Sequence, residues 1–181
     1  MPTMPTTQNT LLCIIDIQQR LLPVLHETEA FQAACRKFLT GANLLGLPVL
    51  ITEQYPKGLG GTDGSIRALV PEAPVYEKTR FSAFTDEVRA ALAQRQPENL
   101  ILIGCETHIC MLQTALDAQA SGYCVYVPQE CAASRTLVNK ENGLRQIRQA
   151  GGIVSNIESL LFQLLQDAVH PQFKAVSKLI Q

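Results

Sequence analysis

Charge is scarce in this sequence and nearly balanced: 17% of the residues are charged and the net charge is −1. That balance gives nucleic acid or an anionic membrane no electrostatic reason to bind. Long apolar runs are missing too, and none approaches the roughly 18 to 20 residues of a membrane-spanning helix. The six cysteines form no C-x-x-C pair, and "MPTMPTTQNT" (1–10) has neither the charged nor the apolar region of a secretion signal. A cytoplasmic protein with reduced thiols is therefore expected, with residues 1–10 as a flexible leader. No H-x-H, D-x-H or H-E-x-x-H grouping occurs, so neither a metal site nor a cofactor is expected.

What is present is enough for one sizeable core: 181 residues, 46% of them hydrophobic. Short β-branched runs alternate with longer helical stretches. "LLCIIDI" (11–17) is continuously apolar up to Asp16, as a strand buried on both faces would be. Further strands are expected at 47–54, 75–79, 99–104, 123–128 and, shortest, in "GIVSN" (152–156). Helices are expected at 28–45, 85–95, from 109 to a stop at Gly122, at 136–150 and at 159–168. The alternation predicts an α/β fold with a parallel sheet between two layers of helices. One domain is expected over 11–168, followed by a C-terminal tail over 169–181.

In open parallel sheets, ligands bind beyond the carboxyl ends of the strands, where strand order reverses. Asp16, Glu53 and Gln54, Lys78, and "GCETHIC" (104–110) all fall at such ends. Asp16 is a carboxylate among isoleucines; it either accepts hydrogen bonds from a neighbouring loop or does chemistry. Lys78, in "YEKTRFSAF", is either a solvated lysine beside Glu77 and Arg80 or one that reaches along the sheet rim to Asp16. Cys110 falls in the first turn of a helix if Thr107 is the cap, where free amides and the helix dipole favour a thiolate. The alternative is a small buried hydrophobe. Cys105 reads as packing. His108 lies two residues from Cys110, and helical neighbours at that spacing do not face each other, so a Cys–His dyad is not expected. "KGLGGTDG" (57–64) lacks both phosphate-loop patterns and reads as a flexible loop over the site, and "DIQQRLLP" supplies no phosphate loop for a flavodoxin-like nucleotide binder.

"CIIDIQ", "EKTRFSAF" and "GCETHICMLQTALDA", in that order, resemble the isochorismatase-like cysteine hydrolase superfamily over residues 11–165. The resemblance implies a three-layer, doubly wound, Rossmann-like sheet of six parallel strands. It implies an Asp16–Lys78–Cys110 triad cleaving a small amide C–N bond through a thioester, in a homo-oligomer of two or more copies acting on a small molecule. It further implies a cis peptide before Glu106, aiming the Glu106 N–H with that of Cys110 into an oxyanion hole. Gln54, Tyr55, Phe81, Phe84 and His108 would line the substrate pocket. Nicotinamidases carry a D-x-H metal pair where this chain has "TEQYPKG", so a metal-dependent nicotinamidase stands only as an alternative reading despite the missing pair; isochorismatases proper lack the cysteine. A non-catalytic interaction protein on the same scaffold is the other class of reading.

Overall fold

Seven strands and eight helices alternate along the chain in the computed structural model, which describes residues 3–181. The order begins β1 (Thr10–Ile15), α1 (Thr28–Leu44), β2 (Val49–Gln54), then two one-turn helices, α2 (Pro56–Leu59) and α3 (Gly64–Arg67). It continues with β3 (Val75–Lys78), α4 (Asp86–Arg95), β4 (Asn99–Cys105), α5 (Leu112–Ala120) and β5 (Cys124–Pro128). The two-residue β6 (Ala132–Ala133), α6 (Leu137–Gln149), β7 (Ile153–Ser155), α7 (Ile157–Leu165) and α8 (Phe173–Ile180) complete it.

All the strand pairings are parallel, in the order β3-β2-β1-β4-β5-β7, with β6 beside the end of β4. This is the expected three-layer fold. The first three strands step outward from β1, and β4 then returns to its other side. Strand order therefore reverses between β1 and β4, whose pairing ends at Ile15 and Gly104, just before Asp16 and Cys105.

The unbroken apolar runs follow from helices on both faces. Leu12 and Ile14 of β1, with Ile101 and Ile103 of β4, pack on the layer of α1, α7 and α8 through Phe38, Leu39 and Leu161. Leu11, Cys13 and Ile15, with Leu100 and Leu102, pack on α4, α5 and α6 through Val88, Leu92, Ala115 and Ile147. Each large side chain removed from water this way contributes about 1.5–3 kcal/mol.

Three expectations are corrected. Residues 3–9 of the leader are docked: the Asn9 carbonyl accepts from the Glu98 and Asn99 amides at 2.8 and 3.0 Å, and the Tyr126 hydroxyl donates to the Thr3 carbonyl at 2.7 Å. Met1 and Pro2 lie outside the described residues. The tail at 169–181 contains α8, whose Val176 is fully buried and whose Phe173 meets Phe162 edge-on at 6.1 Å. The glycine-rich loop is pinned over the end of β1 by Gln18 Nε2 to the Gly60 carbonyl (2.7 Å), the Gln19 amide to the Gly61 carbonyl (3.1 Å) and the Asp63 amide to the Ile17 carbonyl (2.8 Å).

Candidate active site

β1 ends one residue before Asp16, because Asp16 turns into the left-handed region (φ 51°) and leaves the ladder. Its carboxylate is fully buried and bonded through both oxygens. Oδ1 accepts from Thr52 Oγ1 at 2.7 Å, and Oδ2 accepts from Lys78 Nζ at 2.6 Å. Lys78 ends β3, two strands away, and its side chain spans β2 to reach Asp16. The ammonium also donates to Gln54 Oε1 (2.7 Å), the Phe81 carbonyl (2.9 Å) and, more weakly, the Arg80 carbonyl (3.3 Å). Taking both charges out of water is costly, and only such a full set of partners makes a buried pair tolerable.

β4 approaches β1 closely at Gly104, which has φ 140°; a Cβ there would lie 1.9 Å from the Ile15 carbonyl oxygen. The Cys105–Glu106 peptide that follows is cis. Glu106 turns its carboxylate away to Arg135, accepting from that residue's backbone N–H at 3.0 Å and its Nε at 3.1 Å.

The next residues differ from expectation. Thr107 is not a helix cap: it is buried and its hydroxyl donates to the Ala133 carbonyl at 2.9 Å. Held to β6 in this way, Thr107–Met111 winds as a π-helical turn, in which the Met111 amide donates to the Glu106 carbonyl at 3.2 Å. On the other side Gly143 of α6 lets the helix lie against this turn, since a Cβ there would come within 2.8 Å of the Thr107 and His108 backbone.

Cys110 sits in this turn, 7% exposed. Its thiol is pushed up to about 12, chiefly by burial and then by the Asp16 charge, with Asp16 also acting as hydrogen-bond acceptor. Lys78 and a hydrogen bond from the Glu106 backbone N–H act in the opposite direction. The expected depressed thiol is thus corrected: desolvation and a facing carboxylate outweigh the field of the helix start. At rest the pair is a thiol beside a carboxylate acceptor. Cys105 is buried and burial pushes its thiol up as well; it donates to the Asp16 carbonyl at 3.1 Å.

The five expected pocket residues separate. Tyr55 lines a cavity of about 510 Å³ that also touches Lys78, Lys57, Arg80 and Thr85. Phe81 is 51% exposed nearby in sequence but is not part of that lining. Phe84 is a core residue, 2% exposed, edge-on to Tyr123 and under the Arg89 guanidinium. Gln54 is committed to Lys78, and its Nε2 donates to the Thr79 carbonyl at 2.7 Å. His108 places Nδ1 3.0 Å from Ser134 Oγ, so that nitrogen is not offered to Cys110.

Sequence reasoning missed Thr52, Gln18, Thr114, Asp117 and Arg135. Thr114 donates to the Cys110 carbonyl at 2.6 Å and accepts from the Ala83 amide at 2.9 Å, while Asp117 accepts from Ser82 at 2.6 Å and Arg80 at 3.2 Å. These two residues clip the loop after β3 onto α5. Their spacing of four and seven from Cys110 was the available signal, since it puts all three on one helix face. Among the described residues, no group of three or more His, Cys, Asp or Glu side chains is placed to hold a metal ion.

The family model for the isochorismatase domain matches residues 10–159. The chain is 38% identical to isochorismatase domain-containing protein 2 of Bos taurus over 175 residues, covering 96% of this chain and 83% of that protein. It is 35% identical over 178 residues to the secreted isochorismatase effector Isc1 of Phytophthora sojae, covering 96% and 85%. A solved structure described as the MAR1 ribonuclease of Caenorhabditis elegans superposes with a TM-score of 0.93 at 31% identity, covering 98% of this chain and 92% of that one.

Proposed function

Because the chain belongs to the isochorismatase domain family, we propose that it is a cysteine hydrolase that opens a small amide through an acyl-Cys110 thioester. The observation that carries this is a buried Cys110 whose thiol feels both the Asp16 carboxylate and the Lys78 ammonium, themselves paired at 2.6 Å.

As the sulfur attacks the amide carbon, its proton passes to Asp16, so the thiol never has to ionise free at neutral pH. The carbonyl oxygen becomes an oxyanion held by the Glu106 and Cys110 amides, each worth about 3 to 4 kcal/mol in comparable sites. Asp16 returns the proton to the departing amine. Water then gives a proton to Asp16 as its oxygen attacks the thioester, and the released sulfur takes that proton back. Lys78 works by charge, because an ammonium has three protons and the Asp16, Gln54 and Phe81 oxygens take all three.

The reading includes a homo-oligomer. Leu116 of α5 and Leu137 and Val138 of α6 are 44%, 45% and 74% exposed, apolar surface that a second copy would cover. Among the described residues no helix is long and apolar enough to cross a membrane.

A panel of small amides, with RNA included because of the relative described as a ribonuclease, tests the reading by intact-mass trapping of an acyl adduct. Amide turnover with an adduct on Cys110, abolished in Cys110→Ala and Asp16→Asn, supports it. Turnover undiminished in both variants overturns it.

A further inference from the structure

Gln54 is absent from the lining of the cavity beside Tyr55. Its carboxamide bridges two groups of the protein, Oε1 accepting from Lys78 Nζ at 2.7 Å and Nε2 donating to the Thr79 carbonyl at 2.7 Å. That second bond fixes which end of the amide faces the lysine. The backbone of Gln54 is itself gripped. The carboxamide of Gln18, fully buried, accepts from the Gln54 amide at 2.7 Å and donates to the Gln54 carbonyl at 3.0 Å. The same Gln18 nitrogen donates to the Gly60 carbonyl at 2.7 Å. A continuous run of hydrogen bonds thus leads from the pinned loop through Gln18, Gln54 and Lys78 to Asp16.

We propose that Gln54 is a positioning residue for Lys78, braced by Gln18, which holds the ammonium against Asp16. This rests on the cysteine hydrolase reading for its purpose, but not for its test. Without the Gln54 oxygen, one ammonium proton has only the Arg80 carbonyl at 3.3 Å or a ligand to turn to. The cation that favours the Cys110 thiolate then loses its fixed place.

The experiment is iodoacetamide alkylation of Cys110, followed by mass across the rising limb of its pH profile, in the wild-type chain, Gln54→Met and Gln54→Ser. Methionine keeps the volume and offers no acceptor; serine opens space at the half-buried rim for a water that replaces the oxygen. We expect Gln54→Met to slow alkylation about tenfold, the scale of one hydrogen bond to a charged group, with the profile displaced to higher pH. Gln54→Ser should stay within about threefold of wild type. Equal rates in all three overturn the proposal, and so does a greater loss in serine than in methionine, which is what a volume-filling role predicts. Should Gln54→Met fail to fold, the Lys78 ammonium of the unaltered chain still decides. Protection of its protons from exchange by ¹⁵N NMR supports the proposal, and free exchange sinks it. Alkylation needs no amide turnover, so failure here leaves the hydrolase reading standing, and failure of that reading leaves this test intact.

Discussion

Lys78 Nζ lies 2.6 Å from Asp16 Oδ2, and the two side chains are 1% and 0% exposed. Thr52 bonds to Asp16 and Gln54 to Lys78, whose ammonium also donates to the Phe81 and Arg80 carbonyls. The pair's geometry makes Asp16 serve two opposed ends. The carboxylate suppresses ionisation of Cys110 at rest, and in the proposed reaction it also receives the thiol proton.

Asp16→Asn separates those two roles. Removing the negative charge leaves Lys78 and the Glu106 amide acting on the sulfur, so the thiol becomes more acidic and falls below the value of about 12. The pH profile of Cys110 alkylation should move down while amide turnover drops by about 10² to 10⁴. Thermal stability should also fall, because a buried ammonium loses its counter-charge, at a cost of about 3–5 kcal/mol. Alkylation and turnover falling together, with no downward shift, would refute the assignment.

Gly104→Ala should not yield a stable protein. The new Cβ would meet the Ile15 carbonyl oxygen at 1.9 Å, a backbone atom with nowhere to go, and φ of 140° is hostile to an L side chain. A melting temperature lowered by about 10 °C or more, or insoluble expression, is expected. Gly64→Ala is the matching control, since nothing lies within 4 Å of its Cβ; it should be neutral or slightly stabilising in the same melt.

Much of this was legible in the chain. β1 and β4 read as buried strands because their apolar runs are unbroken, and both faces are indeed covered. Asp16, Lys78 and the end of β4 could be placed at strand ends, but their convergence depends on the order β3-β2-β1-β4, which periodicity does not encode. The π-helical turn escaped for a related reason: a threonine before an amphipathic helix looks like a cap, and only the carbonyl of Ala133, in β6, draws its hydroxyl elsewhere. Thr52 escaped because threonine is an ordinary strand residue. Its pairing opposite Ile15, one residue before Asp16, is a matter of register.

Thr114→Val should damage the site without touching Asp16, Lys78 or Cys110. The hydroxyl is 2.6 Å from the Cys110 carbonyl and 2.9 Å from the Ala83 amide, and the residue is 1% exposed. Valine matches its shape and leaves the Ala83 N–H buried without this partner, costing about 1–3 kcal/mol. A lower melting temperature together with reduced kcat is expected. Serine at 114 keeps the hydroxyl and should recover most of both; recovery of neither would assign the loss to packing of the methyl group instead.

The buried thiols set a limit on alkaline stability. Burial raises Cys13 to about 12 and, together with the Asp16 charge, does the same for Cys110, against an ordinary value of 9.0. A raised value means the folded chain holds these protons more tightly than the unfolded chain. The resulting stability is fully present below about pH 9 and is lost as pH rises from there toward 12. Each thiol contributes a slope of up to about 1.4 kcal/mol per pH unit in that window. Urea midpoints measured from neutral pH upward should be flat to about pH 9 and then fall. Cys13→Ala offers the cleaner removal, because Cys13 stands in the middle of β1 and its shift comes from burial alone. That variant should be less stable at neutral pH from the cavity it leaves, yet decline less steeply above about pH 9. An unchanged alkaline slope would mean that Cys13 ionises in the folded chain as readily as in the unfolded one.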